Sequence, residues 1–160
     1  MLLIKVFNKD AINTDLKSKT KQDAFEELLE AIQNVQPELN TEEALEALTA
    51  RESQMSTGIM PHVAVPHALC PSARGAIGAI GISRSGIDYN ALDGSPVHLI
   101  FMLLANPESC SQSLRVLKHL AQLLDTPQFA ADLIRKRTVE EIQGMLNLQN
   151  LAKAPMLAAG

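Results

Sequence analysis

The chain has 160 residues, of which 46% are hydrophobic, 20% are charged and only 3% are aromatic. This length and balance predict one globular domain with a mostly aliphatic core. The formal net charge of −4 argues against non-specific binding to nucleic acid, which requires clustered cations.

The chain also lacks the marks of secreted and membrane-inserted proteins. No apolar run approaches the length of a transmembrane helix, and the apolar stretch at the N-terminus is too short for a signal peptide. Cys70 and Cys110 lie far apart without metal-ligand spacing, so they are expected to be reduced thiols. We therefore expect a cytoplasmic protein without direct insertion into a membrane.

The first third of the chain predicts two helices. Before them, Leu2–Phe7 is apolar and is expected to form a strand or a packed arm. Thr20 can cap a helix whose apolar residues recur at helical spacing until shortly before Pro37. Asn40 can cap a second helix that reaches about Arg51.

The segment from Arg51 to His67 is the most informative part of the sequence. Ser56-Thr57-Gly58 predicts a turn, and Val63–Val65 predicts a short strand-like segment. Pro66 fixes its own φ and favours extended geometry in the residue before it. His67 is therefore expected just past a strand end on a stiff backbone, where a neutral imidazole nitrogen is a candidate nucleophile.

The second half predicts strands and then helices. Gly75–Ser83 favours a close-packed strand, since isoleucines between its glycines argue against a phosphate-binding loop. Val97–Ala105 predicts a central strand buried on both faces. Helices are predicted at about 109–124, 127–135 and 139–146. The order of elements indicates an α/β fold, a single-domain sandwich with a mixed β-sheet flanked by helices.

Several motifs together carry a family resemblance. Arg51-Glu52, Ser56-Thr57-Gly58 and Val65-Pro66-His67 resemble the signature of enzyme IIA of the fructose/mannitol (type 2) class of the bacterial phosphotransferase system, which includes the nitrogen-regulatory enzyme IIA proteins. Further matches occur in order at Asp15-Leu16 with Lys19, Gly86-Ile87, Ala91–Val97, and Leu114, Leu117 and Leu120-Ala121. The resemblance covers roughly residues 3–147, so we expect an enzyme IIA domain over 1–147 and a C-terminal tail over 148–160.

The resemblance implies a phosphocarrier, that is, a histidine phosphotransferase. The histidine-phosphocarrier protein would give a phosphoryl group to His67, which would pass it to an enzyme IIB or hold it as a regulatory mark, without a cofactor. Candidates for binding phosphate or the partner are Arg51, Ser56, Thr57 and Ser113. Each has a structural alternative, because an arginine suits a helix end and hydroxyls suit turns and helix starts.

The chain departs from the family at two places. Relatives often carry a second active-site histidine at the start of the helix after the central strand, and the leucine pattern puts Ser113 there. His119 then falls on the opposite face and is expected to be solvated. His62 follows Pro61 where relatives favour glycine, and we expect it in a loop near the site. These departures leave open an alternative function, a phosphorylation-independent regulatory module that binds another protein.

The remaining candidates have structural interpretations. His98 lies in the apolar central strand and is expected to be a core histidine with one hydrogen-bond partner. The spacing of the histidines predicts no metal site, and a histidine-based hydrolase would need a nucleophile elbow that the sequence lacks. Arg135-Lys136-Arg137 suits a helix C-terminus, with docking of an acidic partner as the alternative.

Overall fold

The computed structural model describes residues 2–58 and 60–147. The predicted C-terminal tail at 148–160 lies outside these residues. Within them, no helix combines the length and the apolar character that crossing a membrane would require.

The first third of the chain is helical apart from one short strand. α1 (Leu2–Val6) leads through a 3₁₀ turn (Lys9–Ala11) into β1 (Ile12–Asn13), which is followed by α2 (Lys21–Val35) and α3 (Thr41–Gln54). Both predicted caps are confirmed. The Thr20 hydroxyl accepts from the N–H of Asp23 at 3.2 Å, and the Asn40 side chain accepts from the N–H of Glu43 at 3.1 Å. Each bond satisfies an amide that the first helical turn leaves without an intrahelical partner.

The strands form one mixed sheet, as the sequence predicted. They are β2 (Val63–Ala64), β3 (His67–Leu69), β4 (Ala76–Ile87) and β5 (Val97–Ala105), in addition to β1. The order is β1-β4-β5-β2, and β3 also pairs with β5. β4 and β5 are antiparallel, whereas β1 runs parallel to β4, and β2 and β3 run parallel to β5.

Pro66 separates β2 from β3. It has no N–H to donate, but its carbonyl accepts from the N–H of Leu103 at 2.9 Å, so the chain stays on the edge of β5. His67 opens β3 and lies in register with Leu103. The expectation that His67 lies just past a strand end is therefore wrong in one detail, because pairing with β5 resumes directly after the proline.

Helices cover both faces of the sheet. α4 (Cys110–Leu124) and α5 (Pro127–Arg135) follow β5, and residues 139–147 form α6. α2 and α3 pack on one face, and α1, α4, α5 and α6 pack on the other. The side chains of β5 alternate between the two cores, with Ile100, Met102 and Leu104 in one and Leu99, Phe101 and Leu103 in the other. This alternation confirms the prediction of a central strand that is apolar on both faces.

The N-terminal segment is a packed helix rather than a strand. Leu3, Val6 and Phe7 are buried at the i, i+3, i+4 spacing of one helical face. Gly78 of β4 admits Phe7, because a Cβ atom at position 78 would collide with the Phe7 ring and with the carbonyl oxygen of Met102.

Gly78→Ala should therefore be destabilising. Because the Met102 oxygen belongs to the backbone and cannot rotate away, we expect a loss of about 1–3 kcal/mol in the free energy of unfolding, measured with denaturant. Gly144→Ala is the matched control. Nothing lies within 4 Å of a Cβ at that helical position, and the change should stabilise by up to about 1 kcal/mol. Unchanged stability in Gly78→Ala would show that α1 does not pack on β4 as described.

Candidate functional site

Two clefts meet along the edge of the sheet that β2 and β3 form. The first has a volume of about 480 Å³ and the second of about 370 Å³. Arg51, His67 and Leu117 line both clefts, so these side chains lie at their boundary. The first cleft is otherwise mostly apolar, with Met55, Met60, Val63, Val65, Leu120 and Leu124 in its wall. The second also contains Gln54, Leu69, Cys110, Ser113 and Leu114.

A hydrogen bond of His67 fixes which ring nitrogen is available. Its Nδ1 lies 2.7 Å from the carbonyl oxygen of Val65. A carbonyl oxygen only accepts, so Nδ1 carries the proton and donates it, and Nε2 of the neutral ring keeps the lone pair. Pro66, between the two residues, restrains the backbone that sets this geometry. His67 thus offers Nε2 as the nucleophilic atom.

Arg51 lies in the last turn of α3, where a cation complements the helix dipole. Its Nη1 donates to the carbonyl oxygen of Met55 at 2.9 Å. A guanidinium has five N–H donors, so this bond leaves others for an anion. The structural and the phosphate-binding interpretations of Arg51 are therefore compatible, since the helix end anchors a side chain that also lines both clefts beside His67.

Glu52 is the centre of a buried hydrogen-bond network. Its side chain is only 6% exposed and accepts from Lys21 Nζ at 2.9 Å. It also accepts from the Thr57 amide at 3.1 Å, from the Thr57 hydroxyl, and from the Tyr89 hydroxyl at 3.0 Å. Burial raises the pKa of the Tyr89 hydroxyl and the negative charge of Glu52 raises it further, so Tyr89 stays protonated and can donate.

Backbone hydrogen bonds connect this network to His67. The carbonyl of Thr57 accepts from the N–H of Val65 at 3.2 Å. The carbonyl of Val65 in turn accepts from Nδ1 of His67. Glu52 therefore stabilises the turn at Thr57, and Thr57 in turn is bonded to Val65, the residue whose carbonyl accepts from His67. Sequence reasoning missed this role: the Arg51-Glu52 pair was a signal, but only its arginine was assigned a function.

The three predicted hydroxyl groups occupy different settings. Ser56 accepts from the N–H of Gly58 at 3.1 Å within the turn and lines the first cleft. Thr57 is 4% exposed and its hydroxyl is engaged by Glu52 and Tyr89, which supports the structural alternative for this residue. Ser113 is 8% exposed and lines the second cleft.

Comparison with known proteins settles the family. The profile of the family "Phosphoenolpyruvate-dependent sugar phosphotransferase system, EIIA 2" matches residues 5–148, nearly the whole chain. The chain belongs to this family. The resemblance inferred from the sequence motifs is confirmed, and the fold is that of a phosphocarrier or regulatory domain of the phosphotransferase system.

Curated relatives of this EIIA protein carry two kinds of name. The fructose-specific EIIABC component of Bacillus subtilis is 32% identical over 92% of the chain, which spans only 23% of that longer protein. A nitrogen regulatory protein of Pseudomonas aeruginosa is 30% identical over 82% of the chain and is covered over 86% of its own length. The chain is thus similar both to a part of a fructose-specific EIIABC component and to most of a nitrogen regulatory protein.

Solved structures agree on the fold of this EIIA protein. The nitrogen regulatory protein IIA-Ntr from Neisseria meningitidis has a TM-score of 0.84 and 29% identity, covering 91% of this chain and 99% of its own. Enzyme IIA-Mtl of Escherichia coli, in complex with phosphorylated enzyme IIB-Mtl, has a TM-score of 0.74 and 17% identity, covering 88% of this chain and 96% of its own. At 17% identity the likeness to enzyme IIA-Mtl shows the fold alone.

The other histidines of this EIIA protein line neither cleft. His62 was expected in a loop near the site, and its side chain is exposed. Its Nδ1 lies 3.1 Å from the carbonyl oxygen of Pro96, and its ring lies 5.4 Å from that of His98. Its φ of 68° is a left-handed conformation that favours glycine. His98 has the predicted single backbone partner, with Nδ1 2.9 Å from the carbonyl oxygen of Ser83, but it is half-buried and belongs to neither core. His119 is half-buried with its Nε2 shielded, so the expectation of a solvated side chain is wrong.

Two features from the sequence analysis remain, a possible metal site and the basic run Arg135-Lys136-Arg137. Residues 2–58 and 60–147 contain no group of three or more His, Cys, Asp or Glu side chains placed to hold a metal ion. The Arg135-Lys136-Arg137 run lies at the C-terminus of α5, as its structural interpretation predicted. Arg84 of β4 binds that terminus, since its guanidinium donates to the carbonyl oxygens of Ile134, at 2.5 Å, and Lys136.

Proposed function

We propose that this EIIA protein is a cytoplasmic phosphocarrier in which Nε2 of His67 accepts a phosphoryl group from the histidine-phosphocarrier protein. The hydrogen bond from Nδ1 of His67 to the carbonyl of Val65 carries the proposal. It leaves the lone pair on Nε2, in a side chain that lines two clefts beside Arg51. A cofactor is not required, because the transfer needs only a nucleophile, in-line geometry and groups that bind the phosphoryl oxygens.

The transfer proceeds by in-line attack of Nε2 on the phosphorus of the donor phosphohistidine. A nitrogen–phosphorus bond forms on His67 while the donor's nitrogen–phosphorus bond breaks, and the electron pair of the broken bond returns to the donor imidazole. His67 keeps its Nδ1 proton, so the carbonyl dipole of Val65 stabilises the positive charge that the ring acquires. Arg51 binds the phosphoryl oxygens with its remaining donors, and Ser56 and Ser113 add neutral hydrogen bonds.

The phosphoryl group then passes to an enzyme IIB or stays on His67 as a regulatory mark. The first outcome is supported by the 32% identity to the fructose-specific EIIABC component of Bacillus subtilis, whose name places an EIIA part and an EIIB part in one protein. The second is supported by the nitrogen regulatory proteins, of which the chain spans 86% and 90% in two cases.

Ser113 favours a second candidate, a regulatory module that binds another protein without being phosphorylated. A serine in the second cleft cannot supply the positive charge that a histidine there would bring to a phosphoryl group.

The decisive experiment is incubation with enzyme I, the histidine-phosphocarrier protein and phosphoenolpyruvate, followed by intact mass spectrometry. A phosphocarrier gains one acid-labile phosphoryl group per chain. A chain that stays unlabelled while the donor is itself phosphorylated would contradict the proposal and favour the regulatory module.

Ser113→His should accelerate the transfer or prolong the life of the phosphorylated form by about tenfold, because a charged donor strengthens a hydrogen bond to phosphate by about 1.4 kcal/mol. Time-resolved labelling measures both quantities. His119→Ala is the control on the same helix, and it should leave the transfer unchanged because His119 lines neither cleft. A silent Ser113→His together with a crippled His119→Ala would show that the assignment of position 113 is wrong.

A further inference from the structure

His62 and His98 form a pair of imidazoles that the phosphocarrier function does not use. Their ring centroids lie 5.4 Å apart, with an angle of 62° between the ring planes. His62 comes directly before β2 and is exposed, and His98 is the second residue of β5 and is half-buried. Neither ring lines the first or the second cleft. The pair is thus separate from the proposed acceptor, His67.

Backbone carbonyls select the same tautomer in both rings. Nδ1 of His62 lies 3.1 Å from the carbonyl oxygen of Pro96, and Nδ1 of His98 lies 2.9 Å from that of Ser83. A carbonyl oxygen only accepts, so each neutral ring carries its proton on Nδ1 and keeps the lone pair on Nε2. Histidines that bind metal ions are oriented in this way, with one ring nitrogen donating to a carbonyl and the other left for the ion.

The backbone also fixes the distance between the two residues. The carbonyl of His62 accepts from the N–H of His98 at 2.9 Å and from the N–H of Leu99 at 3.0 Å. An ion bound by one ring therefore meets the second ring at a high effective concentration. The spacing suits a shared ion, because two ring nitrogens about 2.0–2.1 Å from one tetrahedral ion place the ring centres about 5 Å apart.

Two features of the backbone support a ligand at this pair. The φ of 68° at His62 is a left-handed conformation, and residues other than glycine in such conformations cluster at functional sites. Gly86 lies beside the other ring. A Cβ at position 86 would come within 3.2 Å of Nε2 of His98, so the glycine leaves space next to that nitrogen.

The donor atoms define the kind of metal. Imidazole nitrogens suit Ni²⁺, Cu²⁺ and Zn²⁺, whereas Mg²⁺ and Ca²⁺ require oxygen ligands. Among residues 2–58 and 60–147, no His, Cys, Asp or Glu side chains form a metal-binding group of three or more. The pair therefore supplies two ligands, and water completes the coordination of the ion.

We propose that His62 and His98 bind one divalent transition-metal ion through their Nε2 atoms. The ion joins the segment before β2 to the start of β5. Both Nδ1 protons stay in place, so the hydrogen bonds to the carbonyls of Pro96 and Ser83 persist in the bound state. The spacing of these histidines in sequence did not predict the site, because neighbouring strands bring the two residues together. The site does not depend on the proposed function.

The first test is calorimetric titration of the full chain with Ni²⁺, which does not oxidise thiols. One ion should bind per chain, and Mg²⁺ should not bind. His62→Gly and His98→Asn should each weaken the binding of Ni²⁺ by about 100-fold, since even the loss of a group that orients a ligand weakens it by about 10–100-fold. His98→Asn retains an N–H donor for the carbonyl of Ser83, so the variant should remain folded.

The two histidines outside the pair provide the controls. His67→Ala and His119→Ala should bind Ni²⁺ like the wild type. Unchanged binding in His62→Gly or His98→Asn, loss of binding in His67→Ala, or one ion shared by two chains would overturn the proposal.

The second test identifies the ligand atoms by magnetic resonance of protein with nitrogen-labelled histidine. Zn²⁺, which is diamagnetic, should shift the Nε2 signals of His62 and His98 and leave those of His67 and His119 unchanged. Coordination through Nδ1, or a response from only one ring of the pair, would overturn the proposal.

The third test distinguishes this site from adventitious binding elsewhere on the surface. At a free concentration of about 100 times its dissociation constant, Ni²⁺ should raise the Tm of the wild type by about 5–10 °C, because the paired site exists only in the folded chain. The same concentration should leave the Tm of His62→Gly unchanged. An equal rise in His62→Gly would show that only an adventitious ion is bound, and it would overturn the proposal.

Discussion

His67→Ala should lose its phosphoryl labelling, with the initial rate falling by more than about 1,000-fold. The variant removes the nitrogen that forms the new bond, and no other histidine lines either cleft. Intact mass spectrometry after incubation with the phosphorylated donor measures the result. Because the side chain is half-buried at the edge of the sheet, the variant should remain folded, which circular dichroism verifies.

His62→Gly is the matched control for the loss of an imidazole. It removes a ring that precedes His67 by five residues, at a position whose φ of 68° suits glycine better than histidine. We expect full labelling of this variant. Labelling that survives in His67→Ala, or that disappears in His62→Gly, would move the acceptor away from His67.

The structure also predicts which nitrogen is phosphorylated. Nδ1 of His67 donates to the carbonyl of Val65, so only Nε2 can attack without breaking that bond. Magnetic resonance of protein with nitrogen-labelled histidine distinguishes the two attachments. A phosphoryl group on Nδ1 would contradict the geometry on which the proposed function depends.

Local chemistry explains which parts of the fold were predictable. The caps at Thr20 and Asn40 are formed with residues three positions away, so the sequence contains both partners. β5 was predictable for a different reason, since a strand covered by helices on both faces must be apolar throughout. The N-terminal segment was ambiguous, because a run of six apolar and basic residues is too short to distinguish a helix from a strand by period.

The parts of the candidate site that are continuous in sequence were predictable, whereas the contacts between distant residues were not. Pro66-His67 is one dipeptide, and its rigidity is intrinsic to proline. His62 is close to His67 in sequence, but its side chain lines neither cleft and its ring lies 5.4 Å from that of His98. The contact between Glu52 and Tyr89 joins residues separated by 37 positions and depends on how α3 packs against the segment after β4. No local pattern could have indicated it.

Glu52→Gln should lower both stability and the rate of transfer to His67. The substitution keeps the size of the side chain but removes the charge that pairs with Lys21 and accepts from Thr57 and Tyr89. Hydrogen bonds to a buried charge contribute about 1.5–3 kcal/mol, so the free energy of unfolding should fall by about that amount. Glu52→Ala should cost about 3–5 kcal/mol, because it leaves Lys21 and the two hydroxyls without their shared partner.

The effect on His67 separates a positioning role from a purely structural one. The turn that Glu52 holds is bonded through Thr57 to Val65, and Val65 accepts from His67. Glu52→Gln should therefore weaken the hydrogen bond at Nδ1 of His67 and let the imidazole exchange between its two neutral tautomers. The transfer should then slow by about tenfold, which corresponds to a rise of about 1.4 kcal/mol in the activation free energy from the poorer orientation of the ring. Nitrogen-labelled histidine reports the exchange directly. Glu46→Gln is the control, an exposed glutamate on the same helix that should change neither stability nor rate. If Glu52→Gln loses stability while the His67 signals and the rate stay at wild-type values, the network supports the fold but does not position the histidine.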